Sequence, residues 1–274
     1  MFKLALVQMA VVGGAKKENL NRALRSIDEA AKNGAQVVLL PEAMNLGWTH
    51  PSSKNEADEI PNSPFCDALQ NAADRHGIFV CAGLVERSGD KVYNSALLIG
   101  PNNQSHGGIL LHHRKINELE IAHDYYVLGD RLGVADTPLG RFGLMICADA
   151  FAEREVISRT LCLMGADVIL SPCAWAVVAD HDNGKTPYGS RWLDCYGCVA
   201  KDFRVWIASA SNVGWITDGP WRGRKCIGCS LVIGPDGEPA ARGPYGVDAE
   251  RIIYVDVEPV KRPAQGDGWD KLIG

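Results

Sequence analysis

The chain alternates between short apolar runs and longer segments in which apolar residues recur every three to four positions. Near the N-terminus, the run KLALVQMAV predicts a strand. Leu20, Ala23, Leu24 and Ile27 then follow at helical spacing in a segment that ends at Gly34, and QVVLLPEA predicts a second strand that stops at a proline. A strand, a helix and another strand in this order indicate an α/β protein.

The same alternation continues to about residue 257. Three further segments predict helices: SPFCDALQNAADRHG, AEREVISRTLCLMGA and RWLDCYGCVAKDF. Three neighbouring runs predict an antiparallel meander: IFVCAGLVER, DKVYNSALLIGPNN and HGGILLHHRKI. Four later runs predict strands, namely GRFGLMIC, DVILSPCAW, RVWIASASN and ERIIYVDVE, and CIGCSLVIGPDGEPAARG predicts a hairpin that turns at Pro235-Asp236-Gly237. We therefore expect a single domain, residues 1–274, with helices outside two packed sheets.

Composition narrows the classes of protein that fit this pattern. The 274 residues are 46% hydrophobic and 22% charged, which is typical of a globular chain. A net charge of −5 does not favour a nucleic-acid-binding surface, and no apolar run is long enough to predict a membrane span. The first residues lack a small-residue cleavage site, so the nine cysteines favour a reducing cytoplasm and free thiols. No glycine-rich phosphate-binding motif occurs.

Three reactive side chains interrupt apolar strands or follow them. Glu42 closes VVLLPE, Lys115 lies in LLHHRKI, and Cys147 closes FGLMIC. Taken singly, they are more typical of a loop start, an edge charge and a buried thiol. Because α/β folds place chemistry at strand ends, the three together predict one reactive site.

These residue types form a complete set for hydrolysis of an amide. Glu42 can take the thiol proton of Cys147, and Lys115 can lower the thiol pKa and then hold the oxyanion that forms on attack. The backbone N–H of Ala148, directly after the cysteine, can supply a second oxyanion donor. Glu42 can then protonate departing ammonia and activate the water that splits the thioester.

At these residues the chain resembles the nitrilase superfamily of carbon–nitrogen hydrolases. The resemblance rests on LLPEAMNLGW, LLHHRKI and LMICADAF, which carry the three residues of a Glu-Lys-Cys triad in the family's order. The flanking segments GADVILSPCAW, VWIASASNVG and CIGCSLVIGPDGEPAA are also similar. The likeness runs from about residue 3 to about residue 257.

The resemblance implies a four-layer α-β-β-α sandwich and a thiol amidohydrolase acting on a small molecule without metal or organic cofactor. It also implies a homodimer or larger homo-oligomer in which a C-terminal tail, residues 259–274, contacts a neighbouring subunit. The family's second glutamate, which orients the lysine, corresponds to Glu118 or Glu120; we favour Glu120 from its offset to the LGD turn at 128–130. Trp175 is expected to form a pocket wall.

Three alternatives stay open at this stage. Cys147-Ala148-Asp149 favours amides or N-carbamoyl compounds, although the same triad can hydrolyse nitriles in this family. A nitrilase-like scaffold that binds a partner without turnover is a second alternative. The third is a zinc-stapled domain, because Cys195/Cys198 and Cys226/Cys229 form two C-x-x-C pairs; their helix and strand contexts and wide separation disfavour it.

Overall fold

Two large β-sheets form the centre of the computed structural model, which describes residues 1–102 and 107–260. The helices are α1 (Lys16–Lys32), α2 (Ser53–Glu56), α3 (Pro64–His76), α4 (Val156–Leu163) and α5 (Ser190–Phe203). The strands are β1 (Phe2–Gln8), β2 (Val37–Leu39), β3 (Asp58–Glu59), β4 (Phe79–Ser88), β5 (Lys91–Gly100), β6 (Gly108–Arg114), β7 (Val134–Thr137), β8 (Gly140–Leu144), β9 (Val168–Cys173), β10 (Ala176–Val177), β11 (Trp206–Ser211), β12 (Val213–Trp215), β13 (Lys225–Ile227), β14 (Leu231–Ile233), β15 (Pro239–Arg242) and β16 (Arg251–Val257).

The first sheet has the order β16-β1-β2-β4-β5-β6, with β3 added beside β4. Its strands β1, β2 and β4 are parallel, and β4, β5 and β6 form the predicted antiparallel meander. The second sheet has the order β15-β14-β11-β9-β8-β7, with β8, β9 and β11 parallel. The predicted hairpin is confirmed as β14-β15, joined across the Pro235-Asp236-Gly237 turn.

Alternation along β1 shows how the two sheets pack. Leu4 and Leu6 point into the layer between the sheets, where they join residues of β8, β9 and β11, whereas Ala5 and Val7 point to the layer covered by α1 and α3. Helices α4 and α5 cover the outer face of the second sheet. The result is the predicted four-layer α-β-β-α sandwich.

Local signals explain the best-predicted elements and the misplaced ones. Helix α3 begins where Ser63 accepts a hydrogen bond from the amide of Cys66, and it ends at Gly77, which has a positive φ of 65°. Helix α4 begins at Val156, later than predicted, because Arg154 and Glu155 have positive φ values that break the helix. The small sheet β10-β13-β12 was not predicted, since its strands of two or three residues are too short to show a period.

Among the described residues, no helix is long and apolar enough to cross a membrane. Of the predicted C-terminal tail, only residues 259 and 260 are among the described residues; 261–274 lie outside them.

Candidate active site

Glu42 lies just beyond the carboxyl end of β2 and is almost fully buried. Its backbone amide donates a hydrogen bond to the carbonyl of Cys173, 3.2 Å away, which ties the first sheet to the second. Gly83 of β4 faces this segment so closely that a Cβ there would lie 2.6 Å from Cα of Glu42. The backbone of Glu42 therefore packs directly against Gly83 at the interface of the sheets, and only glycine leaves room for this approach.

Lys115 follows the last residue of β6 and is also buried. Its backbone N–H donates to the carbonyl of Asn94. Its ammonium Nζ donates to Glu42 Oε1 at 2.8 Å and to Glu118 Oε1 at 2.9 Å. A buried ion pair between Lys115 and Glu42 thus joins the ends of β6 and β2, and Glu118 adds a second carboxylate to it.

The second carboxylate beside Lys115 belongs to Glu118 and not to Glu120, which the sequence had favoured. Glu118 is buried against Lys115, whereas Glu120 is exposed at the start of a 3-10 helix, Glu120–Ala122. The prediction from the offset to the LGD turn failed because the segment between Lys115 and that turn is not extended. It forms this 3-10 helix and a following turn. The three-residue spacing from Lys115 in a tight loop was the more informative signal.

Asn94 is a site residue that the sequence prediction missed. Its side-chain amide donates to Glu42 Oε1 at 2.7 Å and to Glu118 Oε2 at 2.9 Å, so it bridges the two carboxylates. It is 1% exposed, in the middle of β5. A polar residue inside an otherwise apolar strand, as in KVYNSALLIG, is the signal that could have identified it.

Cys147 occupies a sharp turn between β8 and a 3-10 helix, Cys147–Phe151. Its φ is +44°, a left-handed conformation that non-glycine residues rarely adopt. Its backbone N–H donates to Ser171 Oγ at 3.2 Å. Such a strained strand-to-helix turn presents a side chain to an adjoining cavity.

Asp149 connects the cysteine turn to the lysine strand, and the sequence prediction gave it no such role. Its carboxylate accepts hydrogen bonds from the backbone N–H groups of Ile146 and Asn117. It also pairs with the buried His113, whose Nε2 is 2.7 Å from Oδ2. Despite burial, this pairing lowers the pKa of the Asp149 carboxyl. The aspartate therefore holds Cys147 and Lys115 in a fixed relation.

The three reactive groups influence one another's protonation. Burial raises the pKa of the Glu42 carboxyl; the Lys115 ammonium opposes that rise, and the Glu118 carboxylate adds to it. Burial alone would lower the pKa of Lys115, but the carboxylates of Glu118 and Glu42 outweigh it and raise that pKa well above its ordinary value. The neighbouring Cys173 thiol, burial and the Glu42 carboxylate raise the pKa of the Cys147 thiol well above its ordinary value. The resting site therefore holds an ammonium and a neutral thiol beside a carboxyl group with raised basicity.

A cavity of about 190 Å³ opens onto these groups. Glu42, Lys115, Cys147 and Ala148 form its reactive end. Trp175, which was expected to form a pocket wall, lines the same cavity and lies two residues beyond the end of β9. Six aromatic side chains in all line the cavity: Trp48, Phe151, Trp175, Tyr188, Trp192 and Trp221. The cavity thus has reactive groups at one end and largely apolar walls.

The remaining cysteines do not converge on a metal site. Cys195 and Cys198 lie on α5, where each thiol donates to a backbone carbonyl of the same helix. Cys226 is buried in β13 and Cys229 follows it. Within residues 1–102 and 107–260, no group of three or more His, Cys, Asp or Glu side chains is arranged to hold a metal ion.

Comparison with known sequences covers nearly the whole chain. The profile of the carbon-nitrogen hydrolase family matches residues 3–262. A nitrilase of Pyrococcus abyssi is 33% identical over 243 residues, which cover 87% of this chain and 83% of the relative. An omega-amidase of Xenopus laevis is 30% identical over 268 residues, 94% of this chain and 88% of the relative.

Solved structures share the architecture. The NitN amidase of Nesterenkonia sp. AN1 superposes with a TM-score of 0.76 at 22% identity and covers 94% of this chain and 93% of its own. Saccharomyces cerevisiae Nit3, a member of branch 10 of the nitrilase superfamily, gives 0.75 at 24% identity and covers 94% and 90%. At these identities the likeness establishes the fold.

Proposed function

Since this chain belongs to the carbon–nitrogen hydrolase family and is therefore a hydrolase of C–N bonds, we propose that it cleaves a small amide or N-carbamoyl compound with Cys147 as nucleophile. The observation that carries the proposal is the buried Glu42–Lys115–Glu118 cluster, which opens with Cys147 onto one cavity. Small-molecule amides fit a cavity of this size.

In the first step, Glu42 accepts the thiol proton of Cys147, and the resulting thiolate attacks the amide carbon. The carbonyl oxygen becomes an oxyanion. Two of the three Lys115 ammonium donors point to Glu42 and Glu118, so the third can meet that oxyanion. The backbone N–H of Ala148 is the proposed second donor.

In the second step, the protonated Glu42 gives its proton to the leaving nitrogen, the C–N bond breaks, and ammonia departs from a Cys147 thioester. Glu42 then takes a proton from water, whose oxygen attacks the thioester carbon. Collapse releases the carboxylic acid and returns the proton to the thiol. The raised pKa of Glu42 suits both directions of this proton transfer.

The experiment is ammonia release across a panel of simple amides, ureido acids and nitriles, with Cys147→Ala as the control. We expect release from amides or ureido acids by the native enzyme and none by the variant. Equal rates with and without the thiol would contradict the mechanism.

Nitrile hydrolysis is a second candidate, because one of the relatives described above is named a nitrilase. The Ala148 that follows the cysteine disfavours nitriles as substrates. A higher kcat/KM for nitriles than for amides in the same panel would establish it.

A further inference from the structure

A second thiol lies beside the nucleophile at the ends of two neighbouring strands. Strands β8 and β9 are parallel and pair with Leu144 opposite Leu170. The N–H of Met145, one residue beyond β8, still donates to the carbonyl of Leu170 at 3.2 Å. The same register, continued to the nucleophile turn, brings Cys147 opposite Cys173, the last residue of β9. Neighbouring strands are about 4.7–4.9 Å apart and a disulfide joins Cα atoms about 4.4–6.8 Å apart, so this spacing suits a disulfide.

Ser171 connects the two cysteines. Its Oγ accepts a hydrogen bond from the backbone N–H of Cys147 at 3.2 Å and lies 3.5 Å from Sγ of Cys173. The thiol of Cys173 also donates to the carbonyl of Ser171 at 3.4 Å. The Cys173 thiol is the largest influence that raises the pKa of the Cys147 thiol, which agrees with two sulfur atoms in close proximity. The resting protein therefore holds a second sulfur next to the nucleophile, and the proposed hydrolysis makes no use of it.

The two thiols differ in their access to solvent. Cys147 lines the cavity of about 190 Å³, so a molecule as small as a hydroperoxide can reach its sulfur. Cys173 is 0% exposed and packs among apolar side chains under α5, with its Sγ 3.9 Å from the hydroxyl of Tyr196. An oxidant that enters the cavity therefore meets Cys147 first, and Cys173 reacts only with what has formed on Cys147.

From this arrangement we propose that Cys147 and Cys173 form a reversible redox site, in which a hydroperoxide oxidises Cys147 and Cys173 then closes a disulfide with it. The inference goes beyond the proposed function, because it assigns a covalent modification that blocks the nucleophile and keeps it recoverable. A thiol that is oxidised without a partner continues to the sulfinic and sulfonic acids, which thiols do not reduce. A disulfide stops the oxidation before that point.

Both steps conserve atoms and electrons. In the first, the Cys147 sulfur attacks one oxygen of the peroxide and the O–O bond breaks. Cys147 becomes a sulfenic acid, and the other oxygen leaves as water or an alcohol with the thiol proton, which Glu42 carries to it. In the second, the Cys173 sulfur attacks the sulfenic sulfur, the S–S bond forms and the S–O bond breaks. The hydroxide leaves as water with the thiol proton of Cys173, and an added dithiol later returns both cysteines to thiols.

The test treats the native enzyme with hydrogen peroxide, blocks the remaining thiols with iodoacetamide and digests the protein with trypsin in the absence of reductant. The peptide 142–154 contains Cys147 as its one cysteine, and the peptide 160–185 contains Cys162 and Cys173. We expect the two peptides to be linked, at their summed mass less two hydrogen atoms, and to separate after dithiothreitol. Ammonia release should fall as the linked pair accumulates and return to the untreated rate after dithiothreitol.

Cys162→Ala is the matched control, because Cys162 is buried in α4 and shares its peptide with Cys173. This variant should form the linked pair as the native enzyme does. Cys173→Ala, with Cys173→Ser as a second variant, should form no linked pair. Cys147 should instead gain two oxygen atoms in both variants, and dithiothreitol should not restore the activity that peroxide removed.

The inference is overturned if peroxide gives no linked pair in the native enzyme, or if folded Cys162→Ala forms none. It is also overturned if Cys173→Ala recovers as fully as the native enzyme after dithiothreitol. Because the linked pair is measured without a substrate, its outcome is separate from that of the amide panel. Failure to release ammonia from every amide and ureido acid of the panel would overturn the proposed function instead.

Discussion

Replacing Glu118 by glutamine removes one buried negative charge and keeps a hydrogen-bond acceptor for Lys115. In the native site Glu118 Oε1 accepts from Lys115 Nζ at 2.9 Å and from the backbone N–H of Leu119 at 2.9 Å. A glutamine oxygen can take both bonds, so the lysine should stay in place, while the amide nitrogen that replaces Oε2 loses the hydrogen bond from Asn94. The electrostatic effect of Glu118 on Glu42 can then be measured with Lys115 held in its native position.

The size of that effect follows from the distances. The Glu42 and Glu118 oxygens each lie within 2.9 Å of Lys115 Nζ, so two negative charges less than about 6 Å apart repel by about 3 kcal/mol at an effective dielectric constant of about 20. Removing one charge favours the ionised form of Glu42, so the pKa of its carboxyl falls. Because kcat/KM rises with pH as Glu42 loses its proton, the acid limb moves to lower pH.

The assay is a pH profile of kcat/KM and kcat for ammonia release from an amide that the native enzyme hydrolyses. Glu118→Gln should shift the acid limb to lower pH and lower the plateau kcat about tenfold, since the general base is weaker. The control is Glu120→Gln, because Glu120 is exposed in the 3-10 helix, and its profile should match the native one. An acid limb that stays in place or moves to higher pH in Glu118→Gln refutes the reasoning.

Three other variants test the supports of the site. Asn94→Ala removes the donor shared by Glu42 and Glu118 and should lower the free energy of unfolding by about 2 kcal/mol in urea titration; an unchanged midpoint would contradict the bridging role. Gly83→Ala should cost about 1–3 kcal/mol of stability and most of the activity, because the added methyl meets the backbone of Glu42. Cys173→Ala removes a neighbouring thiol that raises the pKa of the Cys147 thiol, so iodoacetamide should modify Cys147 faster at neutral pH; a slower reaction would show that this thiol has the opposite effect.

Much of the fold could be predicted because its signals are local. The periods of α1 and of the meander strands, the Ser63 cap and the Pro-Asp-Gly turn each depend on a few adjacent residues. The two- and three-residue strands of the small sheet carry no such signal. The start of α4 depends on the positive φ values of Arg154 and Glu155, and neither residue type predicts such a backbone conformation.

The residues of the candidate site also fall into two groups, those that local sequence could predict and those that it could not. Glu42, Lys115 and Cys147 could be predicted from their places at strand ends and from the family resemblance. Glu118 was named only as the alternative to Glu120, because choosing between the two requires knowing how the loop coils. Asn94 and Asp149 act through pairings across 52 and 36 residues of sequence to Glu42 and His113, and one sequence does not reveal such pairs.

The central claim is that Cys147 carries the acyl group of the substrate as a thioester. Rapid acid quench during turnover of a hydrolysed amide, followed by mass spectrometry of the protein and its peptides, tests it most directly. The account predicts an added mass equal to substrate minus ammonia on the peptide that contains Cys147, and no adduct or ammonia release with Cys147→Ala. Sustained ammonia release by Cys147→Ala, or an adduct on another residue at a rate that matches turnover, would contradict it.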